Sequence, residues 1–99
     1  MKKEEAIKIL EDKLSEYRKL PYSELVEKIG EHETFEGKNE NGEYYKNGEY
    51  YQIEIEFFFD GHEETDLRVA GAISYSGWTD FFPACRDFII SPDGTFVDE

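Results

Sequence analysis

The residues best suited to chemistry lie in Asp60-Gly61-His62-Glu63-Glu64-Thr65-Asp66, where side-chain oxygens recur at alternate positions as at the start of a calcium loop. An EF-hand needs glycine at its sixth position and glutamate at its twelfth; Thr65 and Gly71 stand there, so that match fails. His32 and His62 could join carboxylates around zinc, but their spacing does not require it. The segment reads as a solvated hairpin loop, with no metal and no cofactor expected. Cys85, the single cysteine, has Arg86 beside it, a neighbour that favours a reactive thiol. No histidine near it in sequence offers a base, so the expected role is a small buried hydrophobe in a reducing compartment. The chain carries no GxSxG, HExxH, CxxC, GxGxxG or P-loop pattern. It is therefore expected not to be an enzyme.

The elements that would position any site must come from 99 residues, room for one domain. Lys and Arg number 11 against 24 Asp and Glu, for a net charge of −13. Such a chain is a poor ligand for nucleic acid, whose affinity comes from basic side chains that displace counterions. No apolar run reaches the roughly 20 residues of a membrane span. MKKEEAIKIL lacks the apolar core and small-residue cleavage site of a secretory signal, so a cytoplasmic location is expected.

The charge is unevenly divided. Residues 1–30 hold seven basic and seven acidic side chains and sum to zero. Residues 31–99 hold Lys38, Lys46, Arg68 and Arg86 against 17 carboxylates, which accounts for the whole excess. Aromatics follow the same division: only Tyr17 and Tyr22 lie in the first thirty residues. An aromatic content of 16% argues for a packed core despite the charge.

Periodicity supplies the elements. Ile7, Leu10, Leu14 and Tyr17 alternate steps of three and four, which predicts a helix over 3–19 with Ala6 flanking its apolar stripe. Pro21 closes it. Tyr22, Leu25, Val26 and Ile29 mark a second, short helix, with Pro21 in its first turn or Ser23 as its cap, and Gly30 as its left-handed stop. From residue 31 the period becomes two. In 50–59, Tyr51, Ile53, Ile55, Phe57 and Phe59 share one face, and Tyr50, Gln52, Glu54, Glu56 and Phe58 the other. In 67–76, Leu67, Val69, Gly71, Ile73 and Tyr75 share a face. Residues 81–90 read as a strand interrupted at Pro83, and 95–97 as a short last strand after the Ser91-Pro92-Asp93-Gly94 turn. The repeat Asn41-Gly-Glu-Tyr-Tyr45 and Asn47-Gly-Glu-Tyr-Tyr51 offers two hairpin turns. The pair Lys46 and Glu49 favours a turn at 47–48, with a bulge or loose loop near Gly37–Glu40. The whole reads as one α+β domain: a helical hairpin, 1–30, on one face of a four- or five-stranded antiparallel sheet, 31–99.

A helix, a Pro-containing loop, a short helix ending Leu25-Val26-Glu27-Lys28-Ile29-Gly30 and then strands resembles the helix-loop-helix plus antiparallel sheet of the β-lactamase-inhibitor-protein-like and SmpA/OmlA-like folds. The resemblance covers about residues 20–76. It implies the architecture and a binding role in general, and brings no catalytic residue with it.

The sheet face turned from the helices is then the candidate site: Tyr50, Gln52, Glu54, Glu56 and Phe58, with Trp78 and Asp80 nearby and the segment around Tyr75 and Phe81 close by. Aromatics ringed by carboxylates suit a protein-binding surface. The expected function is a small non-enzymatic binding domain for a basic protein, of the inhibitor or immunity type. A self-associating accessory domain, with a second copy on the same face, is the alternative. A metal-binding or enzymatic protein using Asp60, His62, Glu64 and Asp66 is the third.

Overall fold

Helix α1 (Lys3–Arg18) forms almost where the periodicity placed it. Its buried residues are Ala6, Leu10, Leu14 and Tyr17. Ala6 rather than Ile7 continues the stripe from Leu10, and Ile7 is only partly buried. A computed structural model describes residues 3–37, 51–61, 65–75 and 83–99.

Helix α2 (Tyr22–Glu27) is shorter than the stripe Tyr22 to Ile29 suggested. Pro21 is its N-cap, extended at φ −69° and ψ 157°, and no side chain caps it, so Ser23 does not have that role. The helix gives way to a turn in which the Lys28 and Ile29 N–H groups donate to the carbonyls of Leu25 and Val26 at 3.0 and 3.1 Å. Gly30 then takes φ +91°, the left-handed stop that a side chain would resist. No helix among the described residues is long and apolar enough to cross a membrane.

The four described strands, β1 (His32–Gly37), β2 (Tyr51–Phe59), β3 (Leu67–Tyr75) and β4 (Ala84–Ile90), form one antiparallel sheet in chain order. The protein is thus an α+β domain. Alternation holds along β2 and β3. Ile53, Ile55 and Phe57 are buried, as are Leu67, Val69, Gly71, Ile73 and Tyr75. Tyr75 therefore belongs to the buried face and not near the opposite one, because it shares the parity of Ile73.

The register between β1 and β2 departs from a hairpin centred on Asn47-Gly48. That centre would set Ile55 opposite Glu40; Glu33 stands there instead, and Phe35 pairs with Ile53. An apolar pair on the buried face outweighs the local charge preference of one turn. Gly37 pairs regularly with Tyr51. The turn at 47–48 and residues 38–40 lie outside the described residues. Pro83 precedes β4 rather than interrupting it. Residues 95–97 do not make a fifth strand. Phe96 forms one isolated bridge with Ile90, and the Val97 N–H donates to the Ile89 carbonyl at 2.9 Å. The C-terminal segment is held by side chains instead. Arg18 bonds both carboxylate oxygens of Glu99 at 2.6 and 2.8 Å, and its guanidinium lies 4.7 Å from the Phe88 ring and 5.0 Å from Phe96.

Contacts between helix and strand centre on Gly71. A Cβ there would lie 2.8 Å from Leu10 Cδ1, 3.1 Å from Ile55 Cδ1 and 3.4 Å from Leu14 Cδ2. The missing side chain is what lets both leucines reach the backbone of β3. Tyr17 packs edge-on against Phe57, with ring centroids 5.4 Å apart. Lys13 Nζ sits 3.6 Å from the centre of the Phe35 ring.

Glu33, on the buried-face parity of β1, is the polar counterpart of this packing. The Tyr17 hydroxyl donates to one of its oxygens, and Lys28 Nζ donates to the other at 2.9 Å. Burial, with the bond to Glu33 adding to it, pushes the Tyr17 phenol well up. Burial also pushes the Glu33 carboxyl up, but the bonds from Tyr17 and Lys28 and the lysine charge outweigh it, so the group sits below its ordinary value. A depressed folded pKa contributes stability above the unfolded value, near 4.5, that is lost as pH falls through the folded one. Glu33→Gln should therefore cost about 1–2 kcal/mol in urea unfolding at neutral pH. The cost should shrink in acid, where the wild type loses its own charge.

Candidate functional site

Strand parity places a set of side chains on the face opposite Ile53, Ile55 and Phe57. Pairing aligns them in rows across the sheet. One row runs Thr34, Glu54, Ala72, Cys85, and the next runs His32, Glu56, Ala70, Asp87. Glu36, Gln52 and Ser74 lie beyond the first row, and Phe58, Arg68 and Ile89 beyond the second. Glu54, Glu56 and Phe58 are exposed, as their alternation with buried neighbours requires. Alanines on β3 leave room between the longer side chains of β2 and β4. The result is a shallow depression of about 310 Å³, lined by Glu54, Glu56, Ala70, Ala72, Cys85 and Asp87 among others.

The electrostatics of this face are one-sided. By strand parity Arg68 is the one arginine or lysine on this face among the described residues; Arg86, of the opposite parity, also borders the depression and pairs with Glu11. Arg68 is already engaged: Nη2 reaches Asp60 Oδ1 at 3.1 Å, and Nη1 bonds Asp87. These two carboxylates, Asp60 first, push the Arg68 pKa still higher. Among the described residues Glu54 has only His32 within ion-pair range, with Nε2 to Oε2 at 3.9 Å. Among the described residues no cation pairs with Glu56. Among the described residues, therefore, no permanent counter-charge pairs with these two adjacent carboxylates at the centre of the face.

Of the residues singled out in the sequence, Gln52, Glu54, Glu56 and Phe58 share this face. Tyr50, Trp78 and Asp80 lie outside the described residues, as does Phe81. Phe58 keeps 39% of its surface open, so the described C-terminal residues do not cover it. Sequence reasoning did not place His32, Ala70, Ala72, Cys85 or Asp87 on this face. The signal was available, because the parity that sends Val69, Gly71 and Ile73 inward sends Arg68, Ala70, Ala72 and Ser74 outward.

The other chemical candidates divide differently. Cys85 is exposed, not buried, because Ala84 takes the inward position beside it. Arg86 turns to the helix side, with Nε 3.6 Å from Glu11 Oε1. The two side chains therefore have opposite parity on β4, and Arg86 is turned to Glu11 although both residues border the depression. Asp60 serves Arg68, and its N–H donates to the Asp66 carbonyl at 2.6 Å, which closes the loop base. His62 and Glu64 lie outside the described residues. Among the described residues no three His, Cys, Asp or Glu side chains gather as a metal site would need.

Crowded carboxylates repel across water, and salt screens that repulsion. With a net charge of −13, the melting temperature should rise by a few degrees from low salt to about 0.3 M. A scan by circular dichroism checks this, and a flat profile would mean that the charges are better spaced than their rows suggest.

No family model, no curated protein and no solved structure matches the chain.

Proposed function

We propose that this chain is a non-enzymatic binding domain that docks a basic protein on its anionic sheet face. The single observation that carries the reading is the exposed pair Glu54 and Glu56 at the centre of a face on which, among the described residues, the outward-parity arginine, Arg68, is already paired with Asp60 and Asp87. In this reading α1 and α2 together cover the opposite face and leave the carboxylate rows free. Phe58 supplies an apolar anchor at the end of the face, and the alanine-floored depression admits a partner side chain. Complementary charge speeds encounter and fixes orientation. An inhibitor or immunity-type role towards a basic target fits that chemistry, and so does the general binding role implied by the resemblance noted in the sequence.

Self-association through this face is the weaker reading, because two copies would bring like carboxylates together. The chain should run as a monomer in light scattering at high concentration. The test of the docking reading is the affinity of a lysine-rich peptide, followed by fluorescence anisotropy from about 50 mM to about 500 mM salt. Affinity should fall steeply with salt. Affinity unchanged over that range would remove the electrostatic basis of the proposal.

A further inference from the structure

We infer that the outer edge of β4 takes an extended basic segment of a partner protein as a fifth strand. The basic character of that segment rests on the docking reading above; its place, on the edge of the sheet rather than on its face, does not. β4 is the last strand of the described sheet, with β3 on one side of it. The Val97 N–H donates to the Ile89 carbonyl at 2.9 Å, so the backbone groups of Ile89 point away from β3. Backbone direction alternates along an antiparallel strand, and β4 pairs with β3 in unbroken register from Ala84 to Ile90. The backbone groups of Cys85 and Asp87 therefore point outward too. Among the described residues no backbone group bonds them. The Cys85 carbonyl is met instead by the neighbouring Arg86 side chain, whose Nη1 donates to it at 2.7 Å.

The chain itself begins pairing with this edge and then leaves it. Phe96 bridges Ile90 and Val97 follows, but Asp98 takes φ +62°, outside strand geometry, and Glu99 is drawn to Arg18. Past that point two depressions meet along the edge at Arg18 and Asp87. One, of about 230 Å³, lies against α1 at Leu14; the other, of about 480 Å³, lies against Phe88 and Val97. In strand addition main-chain bonds give affinity, and pockets beside the edge receive alternate side chains. Alternation also sets the chemistry of the occupant. Side chains turned towards α1 meet Leu14 and Phe88, which suits apolar residues. Those turned the other way extend the rows that hold Glu54 and Glu56 and end in Cys85 and Asp87, which suits basic residues. Arg18, Arg68 and Arg86 already face Glu99, Asp60 with Asp87, and Glu11, so none of them is free for an acidic segment. A second copy fits poorly, because two-fold pairing of β4 centred on Arg86 or Asp87 sets like charges opposite each other.

The experiment is anisotropy of a labelled peptide of alternating lysine and valine with the full chain at low salt, beside the same peptide N-methylated at every residue. The two carry equal charge, but the second cannot donate main-chain bonds. It should bind the wild type about tenfold more weakly, the loss of two or so net hydrogen bonds. Cys85→Pro removes one outward N–H, a change an edge strand tolerates, and should weaken the unmethylated peptide about fivefold, while Cys85→Ser should bind as the wild type does. Circular dichroism verifies the fold of both variants, and the methylated peptide tests the wild type without any substitution. Equal binding of the two peptides, or a folded Cys85→Pro protein with wild-type affinity, overturns strand addition while the docking reading stands. No binding of the unmethylated peptide to the wild type overturns both.

Discussion

Replacing Glu54 and Glu56 together by lysine should weaken binding of a lysine-rich peptide by about thirtyfold or more at low salt. The two side chains are exposed and sit on neighbouring outward positions of β2. Reversing both changes the local charge by four units where the partner's cations are expected to lie. Each removed attraction counts for about 1 kcal/mol near the surface, and each added repulsion counts in the same direction. Fold stability should barely change, because neither side chain contributes to the buried core. Lysine at either position, opposite His32 and Thr34 on β1, meets no buried group. Anisotropy for affinity and a thermal scan for stability separate the two effects. Loss of binding together with loss of fold would show that the carboxylates do structural work that their exposure does not suggest.

Leu10→Ala should have the largest effect on stability. Leu10 has no exposed surface and reaches the backbone of β3 at Gly71, beside Ile55 and Leu14. Truncation removes buried methyl groups and leaves a cavity that the sheet backbone cannot fill, at a cost of about 3 kcal/mol. For a domain of this size that is a fall of roughly 15 °C in melting temperature. Gly71→Ala tests the same contact from the other side. Its Cβ would lie 2.8 Å from Leu10 Cδ1, so the leucine must shift, and the variant should lose about 1 kcal/mol. In the Leu10→Ala background the added methyl occupies part of the vacated space. The double variant should then be more stable than the sum of the two single effects predicts. Strict additivity in urea unfolding would mean that Leu10 and Gly71 do not meet.

Much of this packing was legible in the sequence, for particular physical reasons. The stripe of α1 and the alternation of β2 and β3 follow from periods of 3.6 and 2, and each is reinforced by burial along its length. Glu54 and Glu56 could be placed outward by parity alone. The register of β1 could not be found the same way. His32–Gly37 offers only Phe35 as an apolar inward residue, and the nearby Asn-Gly pairs advertise turns whose local charges point elsewhere. Tyr75 was placed by parity on the buried face with Leu67, Val69, Gly71 and Ile73, and it lies there, although the segment around it was also expected near the opposite face. Cys85 was misjudged, since its small apolar character suggested burial while its phase in β4 points it outward. The cluster of Tyr17, Glu33 and Lys28 joins three separate elements, and no local pattern announces such a meeting.

The most direct test of the anionic docking face is a map of where a cation lands. The ¹⁵N-labelled chain, titrated with the lysine-rich peptide, should show its backbone shifts at Glu54, Glu56, Ala70, Ala72 and Asp87, and these should collapse as salt rises. Shifts concentrated on α1, or spread evenly over the molecule, would contradict the account.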